Sequence, residues 1–153
     1  YFYQAIQAAV RVPVLHIMRE VAGAASRRFS RIGRVGLLAT RATVATGLYQ
    51  DAFRPLGAEV LVPDERGQEV IDRLIYAIKA QGVDDALRSA GVAVGRGLAR
   101  AGAEAMVLGC TELPLVLGED TLGMPILDSN MILAEAAVRL AASAEPLPAP
   151  VRV

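Results

Sequence analysis

Residues 34–39 read Arg34-Val35-Gly36-Leu37-Leu38-Ala39, and apolar positions at helical spacing follow from Ala42 to Arg54. A short, almost wholly apolar run that hands over to a helical pattern is the signature of a strand buried on both faces. The same hand-over recurs along the chain. Glu59-Val60-Leu61-Val62-Pro63 is the next strand candidate. Helical patterns then cover Gln68 to Ala80, carried by Val70, Ile71, Leu74, Ile75 and Ile78, and Val83 to Ala101. Ala105-Met106-Val107-Leu108-Gly109-Cys110 and Pro125-Ile126-Leu127 supply two more strands, and a last helix is predicted from about Met131 to Ala142. Strands of this kind separated by helices predict an α/β fold, a parallel sheet flanked by helices. The last ten residues, with Pro146, Pro148 and Pro150, read as a frayed tail.

Composition narrows the class of function. The 153 residues carry 16 basic and 16 acidic side chains, and 54% of them are hydrophobic. That balance excludes a disordered chain. It also gives no electrostatic footprint for nucleic acid or an acidic membrane surface, so neither is expected as a partner. Apolar runs are broken by Arg, Glu, Gly or Pro well short of the ~18 residues of a membrane span. A single cysteine excludes an internal disulfide and points to a reducing, cytoplasmic setting. The chain opens on Tyr1-Phe2-Tyr3, with no initiator Met and no basic-then-apolar leader, so a signal peptide is not expected.

The front end carries a weak internal repeat. Val12-Pro13-Val14-Leu15-His16-Ile17 matches Met124-Pro125-Ile126-Leu127-Asp128-Ser129 in pattern, each a proline-started apolar strand leading into a helix. Aligned on that match, the counterpart of Cys110 falls just ahead of Tyr1. Duplication and chance similarity of two buried strands both remain open.

The residues able to carry chemistry cluster at strand ends, where ligands bind in open α/β sheets. Cys110 ends the run Val107-Leu108-Gly109 and precedes Thr111-Glu112-Leu113-Pro114, a predicted helix start. A thiol facing free backbone N–H groups and a helix dipole is expected to have a lowered pKa. A packed, inert cysteine is the competing reading. Thr40 and Thr43 follow the strand at 34–39 and open a helix, with Thr40 suited to the N-cap and the loop suited to an anion; a plain helix cap is the alternative. His16 ends a predicted strand and is expected to be a buried, hydrogen-bonded ring. Lys79, the one lysine, closes the helix over 68–80, where a solvated role is the default. One Cys and one His far apart offer no metal-ligand spacing. Gly95-Arg96-Gly97 lies inside a helical pattern and Gly33-Arg34-Val35-Gly36 precedes a strand, so neither is a dinucleotide turn.

Taken together, Gly109-Cys110-Thr111-Glu112-Leu113-Pro114, Gly36-Leu37-Leu38-Ala39-Thr40-Arg41-Ala42-Thr43 and Val12-Pro13-Val14-Leu15-His16 resemble the aspartate/glutamate racemase superfamily, aspartate racemase branch. The resemblance runs from Tyr1 to about Ala142. It implies a two-lobe pseudo-symmetric fold and cofactor-independent racemisation by two cysteines on opposite faces of the substrate. Carried over, it makes Cys110 the second of those cysteines, Thr111 and Glu112 its neighbours, and Thr40 and Thr43 the holders of the substrate carboxylate. Lys79 matches a substrate-contacting lysine more loosely. The family's first cysteine lies in a C-N-T-A-H element directly before a Y-F-Y-like helix start, and this sequence begins at that Tyr. The expected division is a remnant of the first lobe over 1–30, the second lobe over 31–128, a helix over 129–143 packing back toward the first lobe, and a tail over 144–153.

On this resemblance the substrate is aspartate or glutamate, no cofactor or metal is needed, a homodimer is expected, and the chain alone is expected not to invert its substrate. Two other functions stay open: a decarboxylase or isomerase on the same scaffold using Cys110 alone, and a non-catalytic binding or assembly module.

Overall fold

The structure is a computed structural model that describes residues 2–143; the tail expected over 144–153 lies outside the described residues. Four parallel strands form one sheet: β1 (Arg34–Leu38), β2 (Glu59–Leu61), β3 (Ala105–Leu108) and β4 (Ile126–Asp128), in the order β2-β1-β3-β4. Val35 pairs with Val60 on one side and Ala105 on the other, and Leu108 pairs with Leu38 and Asp128. Helices connect and cover the strands: α1 (Tyr3–Ala9), α2 (Ile17–Arg28), α3 (Arg41–Ala45), α4 (Leu48–Phe53), α5 (Glu65–Lys79), α6 (Asp85–Arg100), α7 (Glu119–Leu122) and α8 (Ser129–Ala142). Side-chain oxygens of Thr40, Asp64, Asp84 and Asp128 cap α3, α5, α6 and α8, each accepting from backbone N–H groups of the first turn.

The near-continuous apolar strands follow from burial on both faces. Along β1, Val35 and Leu37 enter one core with Val21, Ala25, Tyr49, Phe53, Val107, Leu127 and Ile132. Leu38 enters the other with Ile71, Leu74, Ile75, Leu98, Met106 and Leu108. The first core lies under α2, α4 and α8, and the second under α5 and α6.

Strand order fixes where a ligand can sit. The connection from β1 runs outward to β2, and the next crosses back over β1 to β3. The chain therefore reverses its direction of travel across the sheet between β1 and β3. A crevice opens beyond the carboxyl ends of two such strands. Thr40 follows β1 and Cys110 follows β3.

Three local expectations are corrected. Residues 12–17 form no strand. Pro13 has no N–H to give a ladder, and the Gln7 side chain takes up neighbouring backbone groups, donating to the Val12 carbonyl at 3.1 Å and accepting from Val14 N–H at 2.8 Å. His16 accordingly stands at the N-cap of α2 rather than at a strand end. Its ring meets Tyr3 edge-on at 4.9 Å, and among the described residues its buried Nδ1 has no hydrogen-bond partner, against the expected hydrogen-bonded ring. The helix expected over 42–54 is broken at Gly47, whose φ of 68° only glycine adopts readily. Gly95 and Gly97 lie inside α6, as their helical setting implied. Among the described residues no helix is long and apolar enough to cross a membrane.

Candidate functional site

The two strand ends are tied directly to each other: Gly109 N–H donates to the Leu38 carbonyl at 2.8 Å. Gly109 is favoured by close approach. A Cβ there would stand 3.1 Å from Ala39 Cβ and 3.3 Å from the ring of Tyr49, which is buried beneath it.

On the β1 side, Thr40 caps α3. Its Oγ1 accepts from Thr43 N–H at 3.2 Å and lies 3.0 Å from Thr43 Oγ1. The anion receptor expected of this helix start is mostly consumed by the protein itself. Arg41 N–H donates to Asp72 Oδ1 at 3.0 Å, and Thr43 N–H is taken by Thr40. Any anion held here is held by the threonine hydroxyls more than by the short α3.

On the β3 side, the half-buried Cys110 thiol donates to Glu112 Oε2 at 2.9 Å. Burial, followed by the hydrogen bond to Glu112, raises the thiol pKa above its ordinary value. This corrects the expected lowering. The segment after Cys110 is a 3₁₀ turn over Leu113–Leu115 in place of an α-helix, so it supplies no long dipole, and Glu112 folds back onto the sulfur. Glu112 is the mirror case. Hydrogen bonds from Cys110 and then Thr111 lower its pKa and keep it a carboxylate. Lys79 Nζ, at the carboxyl end of α5, stands 3.6 Å from Glu112 Oε1 and 5.8 Å from the Tyr76 ring centre.

Cys110, Thr111, Glu112 and Lys79 are thus brought into one cluster, and Thr40 and Thr43 stand at the adjacent strand end. The thiol's hydrogen-bond partner is Glu112. Among the described residues, no three His, Cys, Asp or Glu side chains converge as a metal site would need.

Gln68, Asp72, Ser129 and Tyr49 escaped the sequence reading. Gln68 is buried on α5, where its Nε2 donates to the Ala39 carbonyl at 2.9 Å and to Asp72 Oδ1 at 3.1 Å. Ser129 Oγ donates to the Leu108 carbonyl at 2.8 Å. Tyr49 lies against Gly109, and burial raises its phenol pKa while a hydrogen bond with Ser129 opposes the rise. Gln68 left a signal: it shares the apolar face of α5 with Ile71 and Ile75, and a polar residue at such a position needs a buried partner.

Comparison with known proteins agrees with the motifs. The broad specificity amino-acid racemase RacX of Bacillus subtilis is 28% identical over 137 residues, which are 90% of this chain and 58% of that protein. The crystal structure of an aspartate racemase homologue from Pyrococcus horikoshii superposes with a TM-score of 0.81 at 28% identity, over 93% of this chain and 62% of that one. Picrophilus torridus aspartate racemase gives 0.71 at 29% identity, over 83% and 52%. The chain thus spans about half to three fifths of the length of these proteins. The family model for Asp/Glu/hydantoin racemases matches residues 1–137, and the chain belongs to that family.

Proposed function

We propose that this chain is the cysteine-bearing second lobe of a cofactor-independent amino-acid racemase acting on aspartate or glutamate, with Cys110 as the proton-transfer group on one face of the substrate Cα. The observation that carries the reading is the Cys110 thiol just past the carboxyl end of β3, beside that of β1, hydrogen-bonded to the Glu112 carboxylate.

A Cα–H beside a carboxylate is very weakly acidic, so its removal depends on how the developing negative charge is stabilised locally. Thr40 and Thr43 hold the α-carboxylate through their hydroxyls, with Thr111 exposed at the rim of the crevice. Lys79, paired loosely with Glu112, meets the second carboxylate of an acidic substrate. Burial and Glu112 keep Cys110 protonated, the state needed to deliver a proton to the carbanion. In the opposite direction the thiol proton moves to Glu112 Oε2 along the 2.9 Å hydrogen bond, and the thiolate so formed takes the Cα proton.

Inversion requires a second group on the far face. The sequence holds one cysteine, and Glu112 shares the face of Cys110. A first-lobe cysteine, together with the lobe division at residues 1–30, 31–128 and 129–143, a homodimeric assembly and a cytoplasmic location, completes the proposal. General acid–base steps contribute ~10²–10⁴-fold each, so the chain on its own should not racemise detectably. Chiral chromatography of L-aspartate and L-glutamate after incubation tests this: unchanged enantiomers are expected, and accumulation of the D-form would overturn the one-faced reading.

The raised pKa of the thiol also favours a second reading, a decarboxylase in which Cys110 protonates the carbanion left by loss of CO₂. Incubation with substituted malonates followed by product analysis separates the two.

A further inference from the structure

The described core holds two buried polar side chains, Gln68 at 5% exposed and Ser129 at 1%. Burying such a group costs free energy unless it is hydrogen-bonded. Each spends its bond on the same kind of partner, a backbone carbonyl at the end of a central strand. Gln68 holds Ala39, one residue ahead of Thr40, and Ser129 holds Leu108, two residues ahead of Cys110. They reach these carbonyls from opposite sides of the sheet. Ile71, beside Gln68 on α5, belongs to one core, and Ile132, beside Ser129 on α8, to the other.

We propose that Gln68 and Ser129 are positioning residues that clamp the carboxyl ends of β1 and β3, and so fix Thr40 and Cys110 relative to each other across the crevice. The role rests on the reading of that crevice as the site of proton transfer. Further contacts extend each clamp. Asp72 accepts from both Gln68 and Arg41 N–H, so α5 fixes the first turn of α3 along with Ala39. On the other side the buried Tyr49 ring lies against Gly109, the residue between Leu108 and Cys110. The Gly109–Leu38 hydrogen bond then joins the two clamped ends.

The test uses the full chain and two readouts, neither needing an amino acid. Gln68→Met removes the donors on α5, and Asp72→Ala, at a half-buried position, repeats the lesion where folding is less at stake. Both should speed amide hydrogen exchange over residues 39–43 by about tenfold, with exchange in α6 unchanged. Ser129→Ala should loosen the β3 end and admit water to the thiol. Alkylation of Cys110 by iodoacetamide should then rise by about threefold at neutral pH as its pH profile moves down, and Ser129→Thr, which keeps a hydroxyl, should restore it. A merely structural role predicts instead a general loss of stability that moves both readouts together in every variant. That pattern, or unchanged readouts in folded variants, overturns the proposal. Failure of the wild-type chain to bind either aspartate or glutamate would sink the racemase reading and leave this result standing.

Discussion

At the scale of single residues, the proposed chemistry turns on one hydrogen bond. Cys110 gives its proton to the shared space with Glu112, and the carboxylate makes the thiolate harder to form while Lys79 makes it easier. The two neighbours should therefore act in opposite directions. Glu112→Gln removes a negative charge, so the pH midpoint of Cys110 alkylation should fall; Lys79→Met removes a positive one, so it should rise. Movement of both midpoints in the same direction would contradict the assignment. The same shift has a consequence for stability. A folded-state pKa above the unfolded value favours the protonated form in the fold, so its contribution is complete below the unfolded pKa and is lost as pH rises through the folded one. Thermal denaturation in alkaline buffer should show a fall in Tm that is smaller in Cys110→Ala. Burial raises the Tyr49 pKa as well, so part of the fall should persist in that variant.

The position of Cys110 was legible because the apolar run 105–108 ends at Gly109, and that of Thr40 because a threonine after a strand is a good cap. The sign of the Cys110 shift was not legible. It depends first on how deeply the thiol is buried and then on Glu112 folding back over a 3₁₀ turn, which the letters Thr-Glu-Leu-Pro do not distinguish from a helix start.

At the scale of elements, capping and core packing set the stability of the crevice walls. Thr40→Ala removes the acceptor for Thr43 N–H and should cost about 1 kcal/mol of stability. On the proposed reading it also weakens L-aspartate binding by removing one of two paired hydroxyls, which isothermal calorimetry would register. Leu108→Ala, beneath the site in the α5–α6 core, should cost about 3 kcal/mol in chemical denaturation. A loss under about 1 kcal/mol would mean that the core collapses to fill the space. The strands at 34–38, 59–61, 105–108 and 126–128 were legible as apolar runs, and α5, α6 and α8 as periodic ones. Where one residue overrode the periodicity, the reading failed. Gly47 turns left-handed inside an otherwise helical stretch, and Gln7 captures the backbone of a segment that is apolar enough to pass for a strand.

At the scale of the whole molecule, the order β2-β1-β3-β4 is what brings residues 40 and 110 to neighbouring strand ends. Periodicity alone does not encode that order; it follows from which helix covers which face. Motif resemblance supplied what patterning could not, because Cys-Thr-Glu after one strand and Thr-Arg-Ala-Thr after another belong together only once the two strands are adjacent. On the proposed reading the molecule presents one face of a two-faced reaction. It should exchange the Cα proton of an acidic amino acid without inverting it. Proton NMR of L-aspartate in deuterated buffer, with the chain and with Cys110→Ser, measures this directly. The account predicts slow deuterium incorporation at Cα with retained configuration, abolished in the serine variant. Incorporation equal in both proteins, or none with the wild-type chain, would contradict Cys110 as the proton carrier.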